Sequence, residues 1–168
     1  MKQLLLVLFV FNVLFVSAQT TKPFYTKKKT TIVAIPDSAT IYYNLGWDNY
    51  KLDSMGPARY YWEKAAYAKG KWESKNAALY RLGLMQQNGE GVDSNLSMAL
   101  DYYKKASGTA NRIGDPDAIK TVGGMYENGF GVDQNYLKAL EWYTKAKRAG
   151  NMYVDEDIAR MKERLKKK

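Results

Sequence analysis

The stretch NGEGVDSNLSMALDYYKKA (residues 88–106) returns forty positions later as NGFGVDQNYLKALEWYTKA (residues 128–146). When residues 78–106 are aligned with residues 118–146 without a gap, 14 of 29 positions are identical, whereas about two would match by chance. A fixed period of roughly 30 to 45 residues is typical of stacked units that bury their apolar faces on one another. We therefore expect an array of repeats.

The copy that contains residues 118–146 is the third of three, as described below, and its sequence predicts the first helix of a repeat. Asp115 suits the N-cap, Pro116 suits the first helical position, and Asp117 complements the helix dipole. This helix is expected to run to about Glu127. The following loop, NGFG (residues 128–131), has two glycines in three residues, which favours a left-handed turn and a chain reversal.

A second helix is expected to begin between Asp133 and Asn135, which are both capping residue types, and to end at Gly150. Its apolar and small residues recur at helical spacing, at Leu137, Leu140, Tyr143 and Ala146. Each repeat is therefore predicted to be a helical hairpin.

Small residues occupy equivalent positions in these helices. Gly83 and Gly123 fall inside first helices, where glycine costs about 1 kcal/mol relative to alanine, so close helix contact is the expected compensation. Ala99 and Ala139 have the same role in the second helices. Bulkier side chains at these positions would separate the helices.

A further copy precedes these two and has a central loop four residues shorter than the second copy. In place of the glycine-rich loop it has residues 52–57, LDSMGP. The small and aromatic positions that it shares with the other copies are Leu45, Gly46, Ala58, Trp62 and Ala65. We therefore expect three hairpins.

These residues resemble the Sel-one-like repeat, within the tetratricopeptide-repeat-like superfamily, and the first copy is closer to the tetratricopeptide repeat itself. The second copy carries the resemblance at Leu82-Gly83, Gly89-Glu90-Gly91-Val92, Ala99-Leu100 and Tyr102-Tyr103-Lys104-Lys105-Ala106. The third carries it at Val122-Gly123, Met125-Tyr126, Gly129-Phe130-Gly131-Val132, Lys138-Ala139-Leu140 and Glu141-Trp142-Tyr143-Thr144-Lys145-Ala146. The resemblance implies an all-α fold, a right-handed α-helical solenoid of about three helix-turn-helix repeats, whose relatives mostly bind other proteins.

One exported branch of this family has a cysteine pair that cross-links each hairpin, and it has been associated with penicillin binding or β-lactam hydrolysis. This chain has no cysteine, so that activity is not carried over to it.

The expected organisation has four parts. These are a signal peptide at residues 1–18, an extended basic lead-in at residues 19–37, three repeats within residues 38–153 (about 38–73, 74–114 and 115–153), and a C-terminal capping helix at residues 154–168.

The signal peptide is predicted from Lys2, from a mostly apolar run over residues 4–16, and from Val16-Ser17-Ala18 before a cut at Gln19. The alternative is an uncleaved membrane anchor, but the run is shorter than the roughly 20 residues that span a bilayer. We therefore expect a periplasmic or extracellular protein with no transmembrane span in the mature chain.

The charge is strongly positive, with 26 Lys and Arg against 17 Asp and Glu. Removal of Lys2 would leave a net charge of +8, which favours contact with anionic surfaces through generic attraction. Lysine clusters lie at residues 27–29 and 166–168. The first suits a solvated linker or a weak contact with an anionic envelope surface.

The C-terminal segment has the pattern of a capping helix, with acidic residues at its start, lysines at its end and one apolar face. That face consists of Val154, Ile158, Met161 and Leu165. The alternative is a basic helix lying on a membrane, but the face has no aromatic anchor.

The chain has neither histidine nor cysteine, so it cannot form a Ser-His-Asp or Cys-His system and lacks the usual zinc and haem ligands. We expect no catalytic, metal or cofactor-binding residues. Carboxylate pairs, Asp93 with Asp133 or Asp101 with Glu141, remain conceivable for glycoside hydrolysis. Their repetition is better explained by helix capping and solubility.

The glycine loops do not match phosphate-binding loops, because they follow a helix and lead to an aspartate. Nine tyrosines or tryptophans lie between Tyr42 and Trp72, and many are expected in the core. The second-helix aromatic pairs, which are expected to pack the hairpins together, are Tyr61-Trp62, Tyr102-Tyr103 and Trp142-Tyr143. No motif indicates specific nucleic-acid binding.

In tetratricopeptide-like solenoids the first helices line a concave binding face, and the resemblance implies the same here. Tyr43, Trp47 and Tyr50 are spaced i, i+4, i+7 and share one helical face; the alternative is that Tyr43 and Trp47 pack against the lead-in. The complete set expected on the concave face is Tyr43, Trp47, Tyr50, Lys51, Tyr80, Leu84, Gln87, Lys120 and Glu127.

The sequence therefore favours an exported, non-catalytic protein–protein interaction module, an adaptor or scaffold in the cell envelope, with a protein or peptide ligand. The alternatives are an envelope hydrolase acting on glycan or peptidoglycan, and a basic binder of anionic envelope polymers.

Overall fold

A computed structural model describes residues 36–109 and 112–167. Within these residues the chain forms seven α-helices and one small β-hairpin, which confirms the all-α prediction. The elements are α1 (Ser38–Lys51), α2 (Met55–Tyr67), α3 (Trp72–Asn88), α4 (Leu96–Ala106), β1 (Gly108–Thr109), β2 (Arg112–Ile113), α5 (Pro116–Asn128), α6 (Tyr136–Arg148) and α7 (Asp155–Lys166). The predicted signal peptide and the lead-in up to residue 35 lie outside the described residues. None of the helices described is both long and apolar enough to cross a membrane.

The helix starts follow from short polar side chains. The Asp115 carboxylate accepts hydrogen bonds from the backbone N–H groups of Asp117 and Ala118, as the sequence predicts. The side chains of Asn95 and Asn135 accept from the third residue beyond each, so these asparagines, rather than the aspartates two positions earlier, cap α4 and α6.

Helices pack in sequential pairs, α1 with α2, α3 with α4, and α5 with α6. In each pair a glycine of the first helix meets an aromatic ring of the second. A Cβ on Gly83 would lie 2.5 Å from the Tyr103 ring, and one on Gly123 would lie 2.8 Å from the Tyr143 ring. Gly46 faces Trp62 in the same way. The predicted close contact at Gly83 and Gly123 is therefore confirmed.

The two glycine-rich loops have one shared conformation. Gly89 and Gly129 end α3 and α5 in the left-handed region, with φ of 73° and 74°. The next N–H donates to the carbonyl of the residue five positions earlier, which closes each helix with a Schellman-type turn. Gly91 and Gly131 also have positive φ, and each is pressed against the first turn of the preceding hairpin's second helix.

Two clusters of buried residues form the core. One lies within the first two hairpins, contains Trp62, Leu82 and Met85, and reaches Ala118 at the start of α5. The other joins α4, α5 and α6 to α7. Val154 and Met161 are fully buried in this second cluster and Ile158 packs against it, so α7 covers the last hairpin as expected for a capping helix.

Three local features differ from the expectations. The loop of the first hairpin is only residues 52–54, because α2 already begins at Met55 and accommodates Pro57 in its first turn. The β1–β2 pairing between hairpins two and three was not predicted from the sequence. Leu137, placed on the apolar face of its helix, is 56% exposed, since the core contacts of α6 are made by Ala139, Tyr143 and Ala146.

Candidate functional site

The first helices of the three hairpins are linked by side chains, and their exposed side is called the first-helix face below. The Arg81 guanidinium of α3 lies 4.2 Å from the centre of the Trp47 ring of α1. Gln87 of α3 and Thr121 of α5 line one groove. Residues of α1, α3 and α5 therefore form one surface.

Trp47 is the centre of an aromatic cluster at one end of this face. Its indole Nε1 donates to the Tyr43 hydroxyl at 2.8 Å. Its ring stands edge-on to the Tyr50 ring at 5.6 Å and to the Trp62 ring at 6.0 Å. With Arg81 also against the ring, Trp47 is fixed in one orientation although it is only half-buried.

A cleft of about 520 Å³ opens beside Trp47, and its other walls are Asn44, Asp48 and Lys51. These residues are spaced i, i+3, i+4 and i+7 on α1, so a single side of the helix presents them. Asn44, Asp48 and Lys51 are exposed. The cleft therefore combines a fixed aromatic side chain with an amide, an acid and a base.

Polar groups continue the face from α1 to α3. Tyr50 and Glu90 line the same small pocket, and the charge of the Glu90 carboxylate raises the pKa of the tyrosine. Leu84, Arg81 and Glu90 line a small pocket of about 70 Å³ next to Tyr50. This part of the face is closed compared with the cleft beside Trp47.

The other end of the face is a groove of about 270 Å³ between α3, α5 and α7. Gln87 lies at its edge, where the amide oxygen accepts a hydrogen bond from the Tyr103 hydroxyl. Lys120 donates to the Tyr153 carbonyl at 3.0 Å and pairs with Asp157 at 3.7 Å. Lys120 is therefore partly engaged within the chain.

Glu127 does not belong to the accessible face. Only 8% of its side chain is exposed, and its carboxylate accepts two hydrogen bonds from the Arg160 guanidinium, at 2.7 and 2.8 Å. The Tyr143 hydroxyl donates a third, at 2.7 Å. These bonds hold the pKa of Glu127 below its ordinary value. The expectation that Glu127 binds a partner is corrected, because this carboxylate joins α5 to the capping helix.

Tyr80 and Leu84 are half-buried and contribute mainly to packing. The Tyr80 ring lies 5.5 Å from the Tyr103 ring, and burial raises the pKa of the Tyr80 hydroxyl. Leu84 packs against the core cluster of the later hairpins. The structure thus brings Tyr43, Trp47 and Tyr50 together, whereas Tyr80 and Leu84 pack between the face and the core.

Three further residues of the face, Asn44, Asp48 and Arg81, were not predicted from the sequence. Asn44 and Asp48 flank Trp47 at helical spacing, a signal that was available in the sequence. Arg81 depends on how α1 and α3 pack, which spacing within one helix does not reveal. A second unpredicted feature is a cleft between the first two hairpins that is lined by four tyrosines.

The carboxylates considered for hydrolysis are all exposed, namely Asp93, Asp101, Asp133 and Glu141. A catalytic acid commonly has its pKa raised by an apolar environment, and these side chains are instead surrounded by solvent. Within residues 36–109 and 112–167, no three acidic side chains converge as metal ligands would.

Comparison with known families and structures identifies the repeat. The Sel1 repeat model matches three segments, residues 54–69, 76–107 and 117–151. The first match covers α2 and the few residues next to it but none of α1, which agrees with the divergent sequence of α1. None of the curated proteins compared with the chain is similar enough to count as a relative.

Two solved structures share the fold. A Sel1 repeat protein from Oxalobacter formigenes is 25% identical, with a TM-score of 0.59, and the alignment covers 72% of this chain and 87% of that one. The c5321 protein of uropathogenic Escherichia coli, described as a protective antigen with an SLR fold, is 26% identical with a TM-score of 0.62. That alignment covers 75% of this chain but only 26% of the longer relative. With three matched segments and the same helical-hairpin fold, this chain belongs to the Sel1-repeat family.

Proposed function

We propose that this protein is an exported, non-catalytic interaction module that holds a protein or peptide ligand on its first-helix face. Sel1 repeats generally act in protein–protein interaction. The observation that supports the position of the ligand is the cleft of about 520 Å³ beside Trp47.

A fixed tryptophan is well suited to this role. Large aromatic side chains dominate binding energy at protein interfaces and lose little conformational entropy when they are already ordered. Trp47 is held by Tyr43, Tyr50, Trp62 and Arg81 before any ligand arrives. Its exposed neighbours supply the polar rim that surrounds such anchors.

Site-specific photocrosslinking tests this proposal. A benzophenone amino acid replaces Asn44, at the wall of the cleft, and the control carries it at Glu141, which is also exposed and lies on the second helix α6. We expect a discrete protein adduct in native extracts with the first variant and none with the second. Identical adducts from both positions, or none at position 44, would contradict the proposed face.

A steric variant provides a second test. Asn44→Arg introduces a bulky cation into the cleft without touching the core, and Glu141→Arg is its control. Binding of the crosslinked partner should weaken at least roughly tenfold only in the first variant, as expected for a blocked hot spot. Unchanged affinity would place the ligand elsewhere.

Export is a separate part of the proposal and depends on the sequence of residues 1–18. Val16→Asp would place a charge at the predicted cleavage region and should leave the full-length chain inside the cell. Fractionation followed by N-terminal sequencing measures this. A chain that still starts at Gln19 outside the cytoplasm would contradict it.

A further inference from the structure

A second cleft, of about 690 Å³, lies between the first two hairpins. On α1, Tyr42 lies nine residues before Lys51, which is two and a half turns and places Tyr42 on the opposite side of the helix from Lys51 and the cleft beside Trp47. The lining residues are Tyr42, Tyr60, Glu63, Lys64, Tyr67, Ala68 and Tyr102. This set is called the tyrosine cleft below.

The most exposed wall of the tyrosine cleft is one side of α2. Tyr60 and Tyr67 are 54% and 71% exposed. Between them, Glu63 and Lys64 complete the spacing i, i+3, i+4, i+7. The core side of α2 is supplied by other residues, including the fully buried Ala58 and Ala65, so packing does not require tyrosine at positions 60 and 67.

Tyr42 and Tyr102 are half-buried and pack against the core, which gives the cleft an ordered floor. Burial raises the pKa of Tyr102, and a tyrosine hydroxyl can donate a hydrogen bond. The tyrosine cleft therefore offers aromatic surfaces together with hydroxyl donors.

Positive charge predominates around the cleft. The Glu63 carboxylate is paired with Arg59 at 2.9 Å. Lys64 lies 5.4 Å from the centre of the Tyr60 ring, and Lys105 lies 5.6 Å from that of Tyr102. Neither of these lysines has an acidic partner within the described part of the chain. A ligand with an acidic group next to its apolar part would complement them.

The spacing along α2 indicates the conformation of the ligand. Seven residues separate Tyr60 from Tyr67, which is about 10.5 Å along a helix. One turn of a polyproline II segment, three residues, is about 9.3 Å, so two prolines three positions apart meet both rings. Such a segment has no internal hydrogen bonds, and its free carbonyls can accept from tyrosine hydroxyls. A helical ligand would offer carbonyls that are already paired.

We propose that the tyrosine cleft binds a proline-rich segment of a partner protein in the polyproline II conformation, with prolines three residues apart and an acidic residue beside Lys64. Aromatic-lined grooves are a known means of recognising such segments. This site is independent of the ligand proposed for the first-helix face.

Fluorescence anisotropy with two synthetic peptides tests the proposal. The first is a fluorescein-labelled 12-residue peptide with two prolines three positions apart and two flanking aspartates. In the second, alanine replaces both prolines. We expect micromolar binding of the first peptide and at least roughly tenfold weaker binding of the second. Equal affinity for both peptides, or binding of neither up to millimolar protein, would overturn the proposal.

Variants locate the binding and distinguish other ligands. Tyr60→Ala and Tyr67→Ala should each weaken binding about tenfold, whereas Tyr153→Ala, which removes a tyrosine that is 79% exposed elsewhere, should have no effect. Lys64→Glu should weaken binding, and Lys162→Glu at another exposed site should not. Because these side chains lie outside the core, melting temperatures should remain close to wild type.

Two results would overturn the proposed ligand. One is equal loss of binding in Tyr67→Ala and Tyr153→Ala, which would mean non-specific association. The other is Tyr67-dependent binding of a chitin tetrasaccharide with no binding of the proline peptide, which would assign the cleft to glycans.

Discussion

Gly123 and Gly124 are adjacent on α5 but have different surroundings. A Cβ at Gly123 would lie 2.8 Å from the Tyr143 ring, which is buried and hydrogen-bonded to Glu127 and so has little freedom to move. A Cβ at Gly124 would meet only the Tyr143 hydroxyl oxygen, at the ordinary distance of 3.5 Å. The two positions separate the effect of close packing from that of helix propensity.

We expect Gly123→Ala to lower the free energy of unfolding by about 1–3 kcal/mol, the usual cost of overpacking. Gly124→Ala should raise it by up to about 1 kcal/mol, because alanine favours the helix and fits without a clash. Urea denaturation of both variants measures the difference. A gain of stability in Gly123→Ala would show that the Tyr143 ring does not limit the space at Gly123, and a loss in Gly124→Ala would show that the site does not accept a Cβ freely.

The carboxylate of Glu127 connects three elements, since it binds Tyr143 of α6 and Arg160 of α7 from its place on α5. Hydrogen bonds between charged groups are stronger than neutral ones, and the two-point contact with a guanidinium adds directionality. Because the pKa of Glu127 is lowered in the folded state, folding favours the ionised form. The stabilisation is therefore complete above the unfolded value of 4.5 and is lost as pH falls through the lower folded pKa.

Glu127→Gln should accordingly reduce the free energy of unfolding by about 2 kcal/mol at pH 7, as expected for charged hydrogen bonds. The difference from wild type should shrink as the pH is lowered below 4.5. Urea titrations at several pH values measure it. Glu163→Gln, which removes an exposed pair with Lys167, is the control and should change stability by less than about 1 kcal/mol. A pH-independent difference would show that the carboxylate acts through packing alone.

Among the residues that the structure describes, helix α7 forms no hairpin with another helix, and it covers the third hairpin. Its contacts are mainly with α6, and it buries Met161 completely. The apolar side of a solenoid repeat needs such a cover, either from another repeat or from a capping helix.

Met161→Ala should therefore destabilise the protein by about 2–5 kcal/mol, the range for removing a buried methionine side chain. Lys162→Ala, one position further on the exposed side, should have an effect within about 0.5 kcal/mol. Thermal unfolding followed by circular dichroism measures both. Similar melting temperatures for the two variants would contradict the covering role of α7.

How far these elements could be predicted depends on the range of the interactions that form them. The caps at Asp115 and Asn135 and the glycine turn at Gly129 were predictable, because a helix end is satisfied by groups a few residues away. The repeat pattern likewise indicated that Gly123 needs a close neighbour. The β1–β2 pairing was not predictable, because two-residue strands have no hydrophobic period.

The candidate surfaces were less predictable than the fold. The i, i+4, i+7 spacing placed Tyr43, Trp47 and Tyr50 on one side of α1, and the structure agrees. Glu127 shares the helix that supplies Lys120, but its burial depends on Arg160, 33 residues later. Spacing within one helix carries no information about that pairing.

The core is divided between neighbours rather than organised around one centre. Leu82 belongs to the cluster of the first two hairpins and Tyr103 to the cluster that ends at α7, so the second hairpin is shared. Stability in such arrays is the sum of terms from each repeat and each interface. A local defect is therefore expected to affect nearby hairpins most.

Trp62→Ala removes a large buried side chain from the first cluster. Native-state hydrogen exchange should show a loss of protection in α1, α2 and α3 that exceeds the loss in α6 and α7 by at least about tenfold in rate, since opening of the first hairpins is made easier. Tyr143→Ala should produce the opposite distribution. Uniform loss along the chain in both variants would indicate a single cooperative unit.

The contact made by the second loop glycine also bears on how such a chain can lengthen. Gly91 rests on Met55 and Gly131 on Leu96, and both contacts join a loop to the first turn of the preceding second helix. The second repeat therefore contacts the preceding repeat through its glycine loop, and it contacts the following repeat through the start of its second helix. A tandem duplication of these forty residues would copy both the loop glycine and the helix start that such a glycine contacts. Gene duplication alone can therefore extend the array without further substitutions where the new repeats meet.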